Sequence, residues 1–268
     1  MKKIIAVHDL SGIGTASLGT VIPILSVMGS YVCPLQTAAL STITGVFENF
    51  TFTDLTLHIK ETIKHWKQLN MEFDYIYSGF LGSPNQVGTI IDAKKMFGCK
   101  LMVDPVFGDD GQLYPTMNNK MVESMKELVS NADIITPNIT EAMFLLGEKE
   151  FPADFVTIKE WLVRLCDAGP DTAIITSCNI DGEMYVCCYC KKADEFYKIK
   201  CCYHDGSFHG TGDIFASVML GAMARGQEIK EAVSLAVDFV SKAIEETKKL
   251  NSDPRLGVAV QKVIKELL

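Results

Sequence analysis

The stretch "KLMVDPVFGDDG", residues 100–111, decides the fold class. Its unbroken apolar run is typical of a strand buried on both faces of a sheet. Asp104 then leaves the strand at a Pro turn, and a loop bounded by glycines follows. Five other runs have the same form, an apolar segment that mostly ends in a polar or small residue: "KIIAV" (3–7), "YVCPLQT" (31–37), "DYIYSGF" (74–80), "ADIITPN" (132–138) and "DTAIITS" (171–177).

Helical patterns alternate with these runs, at 15–28, 54–68, 84–97, 118–129 and 157–168. The alternation predicts an α/β fold, a mostly parallel sheet with helices on both faces. "EMYVCCYC" (183–190) and "EFYKIKCC" (195–202) flank a polar turn and predict an antiparallel hairpin near the C-terminal part. Three more helical patterns follow, at 212–225, 229–248 and 256–267. Since no linker or repeat divides the chain, we expect one domain over 1–268.

Composition narrows the class of ligand. The chain has 268 residues, of which 48% are hydrophobic and 22% charged, the balance of a soluble globular protein. Its formal charge of -8 and the lack of a clustered basic face argue against nucleic acid, so we expect small-molecule ligands. The first apolar run is interrupted by His8 and Asp9, and no later run is long enough for a membrane span. We therefore expect a cytoplasmic protein that binds no membrane.

Nine cysteines are many for a chain of this kind. Five of them cluster around the predicted hairpin: Cys187, Cys188, Cys190, Cys201 and Cys202. Their spacing matches neither CxxC pairs nor a Cys/His finger, and adjacent cysteines on a strand point to opposite faces. Reduced thiols are the favoured interpretation, and a metal site is the alternative.

Polar residues collect at the predicted strand exits, where sheets of this kind bind their ligands. In "DPVFGDDG" and "TPNITEA" (136–142), carboxylates and an amide offer the oxygen ligands that Mg²⁺ prefers. The simpler alternative makes Asp109 and Asp110 turn formers, and Asn138 a helix cap with Glu141 in a capping box. The residues alone favour the structural alternative.

The stretch "FHGTGDIFAS" (208–217) carries more information. Gly210 and Gly212 let a ligand approach the backbone, and the helix that starts near Asp213 aims free N–H groups at the same space. Such a turn attracts anions, yet Asp213 places a carboxylate in it. There is no GxxxxGK[ST] motif, and no GxGxxG follows a strand with the acidic partner that dinucleotide binding requires.

Taken in order, "SGIG", "CPLQTAALSTITG", "GFLGS", "DPVFGDDGQLY", "ADIITPNITEA", "GPDTAIITS" and "GTGDIFAS" resemble the ribokinase-like kinases, and among them the pyridoxal (pyridoxine, pyridoxamine) kinases. The resemblance implies a three-layer αβα sandwich and transfer of a phosphoryl group from ATP to the vitamin's 5′-hydroxyl. It implies that Asp213 is the catalytic base. Gly210, Thr211 and Gly212 would form the anion hole for the transferred phosphoryl.

The resemblance also implies the binding residues. Asp109, Asn138 and Glu141 match positions that hold Mg²⁺ and the ATP phosphates. Asp104, Thr136 and Thr176, with Ser177 beside it, match the neighbourhood of a monovalent cation, K⁺ or Na⁺, and of phosphate contacts. The segment "GDDGQLY", which ends at Tyr114, matches a flexible loop that covers ATP.

For the vitamin, Ser11 and Thr44 match residues that bond the pyridine ring. Phe80 stands where many relatives carry Tyr, which implies a more apolar pocket. The resemblance also implies a homodimer.

Two alternatives remain open. Hydroxymethylpyrimidine kinases belong to the same superfamily, and some members do both jobs, but those committed to the pyrimidine usually carry a "KGGH"-like segment where this chain reads "TSCNIDG" (176–182). A non-catalytic relative would be expected to have lost the base or the anion-hole glycines, which this chain retains.

Overall fold

The computed structural model describes residues 1–202, 206, 208–250 and 252–268. Nine strands form the main sheet: β1 (Lys3–Ser11), β2 (Tyr31–Leu40), β3 (Phe52–Asp54), β4 (Tyr75–Ser78), β5 (Lys100–Val103), β8 (Ile134–Ile135), β9 (Thr172–Ile180), β10 (Glu183–Cys190) and β11 (Glu195–Lys200). A separate small hairpin pairs β6 (Gly108–Asp109) with β7 (Gln112–Leu113). The helices are α1 (Leu18–Val27), α2 (Thr56–Gln68), α3 (Val87–Phe97), α4 (Asn119–Ser130), α5 (Ile139–Leu146), α6 (Phe155–Asp167), α7 (Thr211–Ala224) and α8 (Ile229–Lys248).

The sheet has the strand order β11-β10-β9-β8-β5-β4-β1-β2-β3. The strands from β9 to β2 in that order run parallel, and β10 and β11 are antiparallel, as the sequence predicts. At the opposite edge β3 is also antiparallel to β2, which the sequence did not reveal. The α/β class and the antiparallel C-terminal strands are therefore confirmed.

Side-chain alternation along the strands builds two cores, one on each face of the sheet. In β1, Ile4 and Ala6 pack toward α1, α7 and α8, whereas Ile5 and Val7 pack toward α2 to α6. Because successive side chains of a strand point to opposite faces, a run without polar interruption is what two covered faces require. The result is the expected arrangement of three layers.

The helix predicted over 256–267 does not form, so this prediction is wrong. This segment forms short 3-10 turns at Pro254–Leu256, Val260–Lys262 and Ile264–Leu267. Gly257 adopts a φ of +79°, and the N–H of Val258 donates to the carbonyl of His209 rather than to the preceding turn. These two features end any continuous helix there. The other helices for which the sequence predicts a range lie within three residues of it, and α5 (Ile139–Leu146) begins after Asn138, as the predicted cap requires.

The cysteine-rich hairpin has the predicted form. Cys187 and Cys188 pack into opposite cores, and all nine cysteines are free thiols. Within the described part of the chain, no group of three or more His, Cys, Asp or Glu side chains is arranged to hold a metal ion. In the same residues, none of the helices is long and apolar enough to span a bilayer.

Candidate active site

Backbone hydrogen bonds continue past the ends of the parallel strands and align the residues that follow them. The N–H groups of Asp104, Thr136 and Thr176 each donate to a carbonyl of the adjacent segment, at 2.8, 3.0 and 2.9 Å. The carboxyl ends of parallel strands meet at one edge of the sheet. These three predicted site residues are therefore brought together along that edge.

The N-terminus of α7 faces the same edge and begins with a turn that only glycine fits. Gly210 has a φ of +86°, and a Cβ atom there would lie 2.1 Å from the carbonyl oxygen of Thr15. A left-handed φ combined with a backbone clash excludes any other residue without local rearrangement. The turn thus holds the first N–H groups of α7, which begins at Thr211, in the open position that favours an anion.

Asp213 lies in the first turn of α7, next to the start of α1. Its Oδ2 accepts a hydrogen bond of 2.8 Å from the N–H of Ser17, and its Oδ1 lies 3.6 Å from Nδ1 of His8. Burial raises the pKa of Asp213 from 3.8 to about 7, against the bond from Ser17 and with a smaller contribution from the charge of Asp9. A carboxyl with a pKa near neutrality can exchange a proton at physiological pH.

Asp213 is half-buried, and three other carboxyl groups of the site are buried: Asp9, Asp104 and Glu141. Burial raises the pKa of each of them, to about 7 in Glu141, and the charges of Glu141 and Asp213 raise that of Asp104 further. Among the described residues, no Lys or Arg forms an ion pair with any of the four. Any of the four that ionises therefore carries a negative charge that no Lys or Arg of the described residues offsets.

Asn138 and Glu141 form the capping box that the structural alternative predicts. The amide oxygen of Asn138 accepts from the N–H of Glu141 at 2.8 Å, and Oε2 of Glu141 accepts from the N–H of Asn138 at 2.9 Å. Oε1 of Glu141 accepts from the N–H of Phe107 at 3.0 Å. Both oxygens of Glu141 are thus engaged by backbone N–H groups.

The predicted metal residues Asp109, Glu141, Asp104 and Thr136 lie in different environments, and whether they hold a cation stays a prediction. Glu141 is occupied by backbone N–H groups, and Asp109 is exposed on the small hairpin. Thr136 does contribute a buried hydroxyl without a hydrogen-bond partner in the described residues. The oxygen donors fit a cation that keeps water or phosphate oxygens in its shell, which is the habit of Mg²⁺.

The β6–β7 hairpin covers one side of the site. Asp110 and Gly111 both have left-handed φ values, 50° and 76°, as a two-residue hairpin turn requires. The N–H of Gly111 donates to Oγ1 of Thr140 at 2.9 Å, which ties the hairpin to α5. Tyr114 follows the hairpin, and burial together with the charge of Glu141 raises the pKa of its hydroxyl.

A cavity of about 620 Å³ opens from the α7 turn along the sheet. Five predicted site residues line it: Asp109, Thr176, Ser177, Thr211 and Gly212. Its far end is apolar, and the sequence did not predict it, although Val237, Val240 and Ile244 have the spacing of one face of α8. That face packs against the sheet, so its pattern cannot be told from an ordinary core face.

Two non-glycine residues with left-handed backbone lie close to the site. Ser177, on the cavity wall, has a φ of 60° within β9, where the register with β10 shifts. Val106 has a φ of 37°, unusual for a β-branched residue, and is followed by Phe107, whose N–H is held by Glu141. Strained backbone of this kind is concentrated at binding sites in proteins.

The residues predicted to contact the ring of the vitamin lie at the ends of three adjacent strands, β1, β2 and β4. Ser11 donates from its hydroxyl to Asp9 at 2.9 Å, so this side chain is already bonded within the protein. Thr44 is half-buried on the loop after β2, which is joined to the loop after β1 by backbone bonds. Phe80 is buried, and its carbonyl accepts from the hydroxyl of Thr37.

The sequence profile of the phosphomethylpyrimidine kinase family matches residues 27–256. This chain therefore belongs to that family of kinases. Its fold is the ribokinase-like fold that its structural relatives share.

Three relatives show how similar this chain is to known proteins in sequence and in structure. A candidate phosphomethylpyrimidine kinase from Bacteroides thetaiotaomicron, crystallised in a form with pyridoxal, is 41% identical, with a TM-score of 0.95 over 99% of this chain and 95% of that one. Pyridoxal kinase from Lactobacillus plantarum is 28% identical, with a TM-score of 0.93 over 100% and 97%. A hydroxymethylpyrimidine/phosphomethylpyrimidine kinase from Aquifex aeolicus is 28% identical over 56% of this chain, which spans 58% of the length of that relative.

Substitution of Asp213 by Asn should stabilise the protein above neutral pH. Because the pKa of Asp213 is higher in the folded chain, about 7 against 3.8, the folded state binds more protons between pH 4 and 7 and loses stability as pH rises. The neutral amide removes this loss. In urea denaturation, the Asp213→Asn variant and the parent should have equal free energies of unfolding near pH 4. At pH 8 the variant should be more stable than the parent by roughly 2 to 4 kcal/mol. A variant no more stable than the parent at pH 8 would refute the raised pKa.

Proposed function

We propose that this chain is an ATP-dependent kinase that phosphorylates the 5′-hydroxyl of pyridoxal, pyridoxamine or pyridoxine. The observation that carries the proposal is the placement of Asp213 in the first turn of α7, beside the Gly210–Gly212 turn that opens into the large cavity. The pyridoxal in the Bacteroides thetaiotaomicron relative supports this class of acceptor.

In the proposed reaction the oxygen of the hydroxymethyl group attacks the γ-phosphorus of ATP. The new P–O bond forms while the bond to the β,γ-bridging oxygen breaks, and ADP leaves. Asp213, in its ionised form, accepts the proton of the hydroxyl. The N–H groups of Gly210, Thr211 and Gly212 meet the charge of the transferring phosphoryl, which is why a base and an anion hole are neighbours.

The large cavity would hold the nucleotide. Thr211 and Gly212 belong both to the α7 turn and to the cavity wall, so a nucleotide lying there would direct its terminal phosphate to Asp213. The apolar end formed by Val237, Val240 and Ile244 suits a purine base. Thr176 and Ser177 line this cavity, and Asn138 is paired with Thr176 by a backbone bridge. These three residues and Tyr114 remain proposed contacts to the nucleotide.

Cations would offset the buried negative charge of the site. Mg²⁺ would be held through Asp109, Glu141 and the phosphates, and a monovalent cation, K⁺ or Na⁺, near Asp104 and Thr136. When bound, such ions would neutralise part of the negative charge of the phosphates.

The vitamin would lie against the segments that carry Ser11, Thr44 and Phe80. We also propose that residues 1–268 act as one domain and assemble as a homodimer.

Phosphorylation of hydroxymethylpyrimidine is the second candidate activity. The family match and the Aquifex aeolicus relative favour it, and both acceptors carry a hydroxymethyl group on a planar ring. The same base and anion hole would serve either alcohol, so an enzyme that accepts both is compatible with this site.

A substrate panel separates these candidates. With Mg-ATP, pyridoxal, pyridoxamine, pyridoxine and hydroxymethylpyrimidine should be compared by kcat/KM. We expect a B6 vitamer to exceed the pyrimidine by at least about tenfold, which corresponds to about 1.4 kcal/mol of discrimination. A higher kcat/KM for hydroxymethylpyrimidine would reverse the assignment, and ATP binding without turnover of any alcohol would indicate a non-catalytic relative.

Asp213→Asn should reduce kcat by at least about 100-fold, since general-base catalysis contributes 10² to 10⁴. The KM for ATP should change little because the fold and the cavity are intact. In the parent enzyme kcat/KM should rise with pH through about 7 as Asp213 ionises. An Asn variant with undiminished kcat would remove Asp213 from the role of base.

Val240→Trp should fill the apolar end of the cavity and raise the KM for ATP by at least about tenfold, while the KM for the alcohol stays close to that of the parent. Val156→Trp is the matched control, because Val156 is an exposed helix position, in α6, away from the cavity. Equal effects of the two substitutions on the KM for ATP would place the nucleotide elsewhere.

A further inference from the structure

His8 is a buried polar side chain that the proposed chemistry does not use. It lies in β1 with none of its surface exposed, and neither ring nitrogen has a hydrogen-bond partner among the described residues. Leaving a buried donor and acceptor unpaired is unfavourable, so a histidine in this position needs an explanation. The groups around the imidazole ring supply one.

The protein is shaped around this ring. Gly79 lies against it, and a Cβ atom at position 79 would be 2.2 Å from Cε1 of His8. The ring of Tyr77 meets the imidazole edge to face, with the centroids 4.4 Å apart and the planes at 76°. Any residue but glycine at position 79 would displace the ring. The orientation of His8 is therefore fixed by its neighbours in β4 and just beyond it.

In that orientation Nδ1 of His8 lies near the carboxylate of Asp213. The distance to Oδ1 is 3.6 Å, slightly too long for a hydrogen bond, while the N–H of Ser17 holds Oδ2 at 2.8 Å. A movement of about half an ångström in either side chain would bring the two atoms within hydrogen-bond range. Burial lowers the pKa of His8 to about 3, so the ring is neutral and the contact is not an ion pair.

We propose that His8 is a positioning residue for Asp213, and that its neutral ring donates a hydrogen bond from Nδ1 to Oδ1 of the ionised carboxylate. Ser17 and His8 then hold one oxygen each, which fixes the plane of the carboxylate relative to the α7 turn. The effect of His8 on turnover rests on the proposed function. The contact between His8 and Asp213 does not, because it belongs to the protein without substrate.

Other groups face this pair. Tyr77 packs on His8 from β4, Asp9 follows it in β1, and the charge of Asp9 disfavours ionisation of Asp213. Ser17 and His8 are the two donors that lie close to the Asp213 carboxylate in the described part of the chain. Loss of the Nδ1 donor should therefore make Asp213 easier to protonate.

The test compares His8→Leu, which removes the donor, with His8→Asn, whose side-chain amide can replace Nδ1. The Asp213 carboxyl carbon is titrated by ¹³C NMR in the full-length protein without substrate, and its signal is assigned by its loss in Asp213→Asn. Thr20→Val is the matched control, since Thr20 is another buried polar residue without a side-chain partner in the described residues.

We expect the midpoint of the Asp213 titration to rise by about one pH unit in His8→Leu, which corresponds to a tenfold weaker acid. His8→Asn should restore most of the difference, and Thr20→Val should leave the midpoint unchanged. In steady-state assays the acid limb of the pH profile of kcat should move in the same direction in His8→Leu, with little change in the KM for ATP.

An unchanged midpoint in His8→Leu would overturn the proposal, whatever the turnover. If His8→Leu does not fold, Gly79→Ala, which pushes the ring away from its site, takes its place, and an unchanged Asp213 midpoint there has the same meaning. If the midpoint moves as expected but no alcohol is phosphorylated by the parent protein, the positioning contact stands and the proposed kinase function fails.

Discussion

The site depends on the close approach of two helix N-termini above the ends of the parallel strands. The start of α1 meets the start of α7 through the bond from the N–H of Ser17 to Asp213, and the missing side chain of Gly210 lets the turn lie against Thr15. With any larger residue at position 210 the two segments would have to separate. The position of Asp213 relative to the strand exits follows from this contact.

Around that contact the protein buries more acidic groups than it neutralises. Asp9, Asp104, Glu141 and Asp213 all have raised pKa values, and burial is the principal cause in each. A chain selected for stability alone would replace such groups with apolar ones. Carboxyl groups with raised pKa values, next to helix N-termini and strained backbone, are typical of functional sites, where proteins accept a loss of stability.

Much of the fold follows from local sequence. Apolar runs such as 101–103 favour strands covered on both faces, and the polar residues that follow them mark the binding edge. The edge strand β3 was missed because its residues are exposed and carry no apolar pattern. The helix expected at 256–267 failed because long-range bonds to Thr247 and His209 outweigh its periodicity.

Within the site, the turn at Gly210 and the base candidate Asp213 were visible in "GTGD", because two glycines before a helix are conformationally costly unless a ligand or another segment must approach the backbone closely. The capping box of Asn138 and Glu141 was also visible, as the alternative to metal binding. The apolar end of the cavity was not, because the face of α8 that lines it has an ordinary core pattern. Nor was the contact of His8, since a single histidine in a strand gives no sign of what will lie opposite it in space.

In the proposed reaction, Asp213 receives the proton of the acceptor alcohol beside the N–H groups of the α7 turn. A crystal structure with pyridoxal and a non-hydrolysable ATP analogue tests it most directly. We predict the 5′-hydroxyl oxygen within about 2.6 to 3.2 Å of an Asp213 carboxylate oxygen, with the terminal phosphate at the N–H groups of residues 210–212. A hydroxyl bonded instead to Asp9 or Asp104, with Asp213 out of reach, would contradict the account.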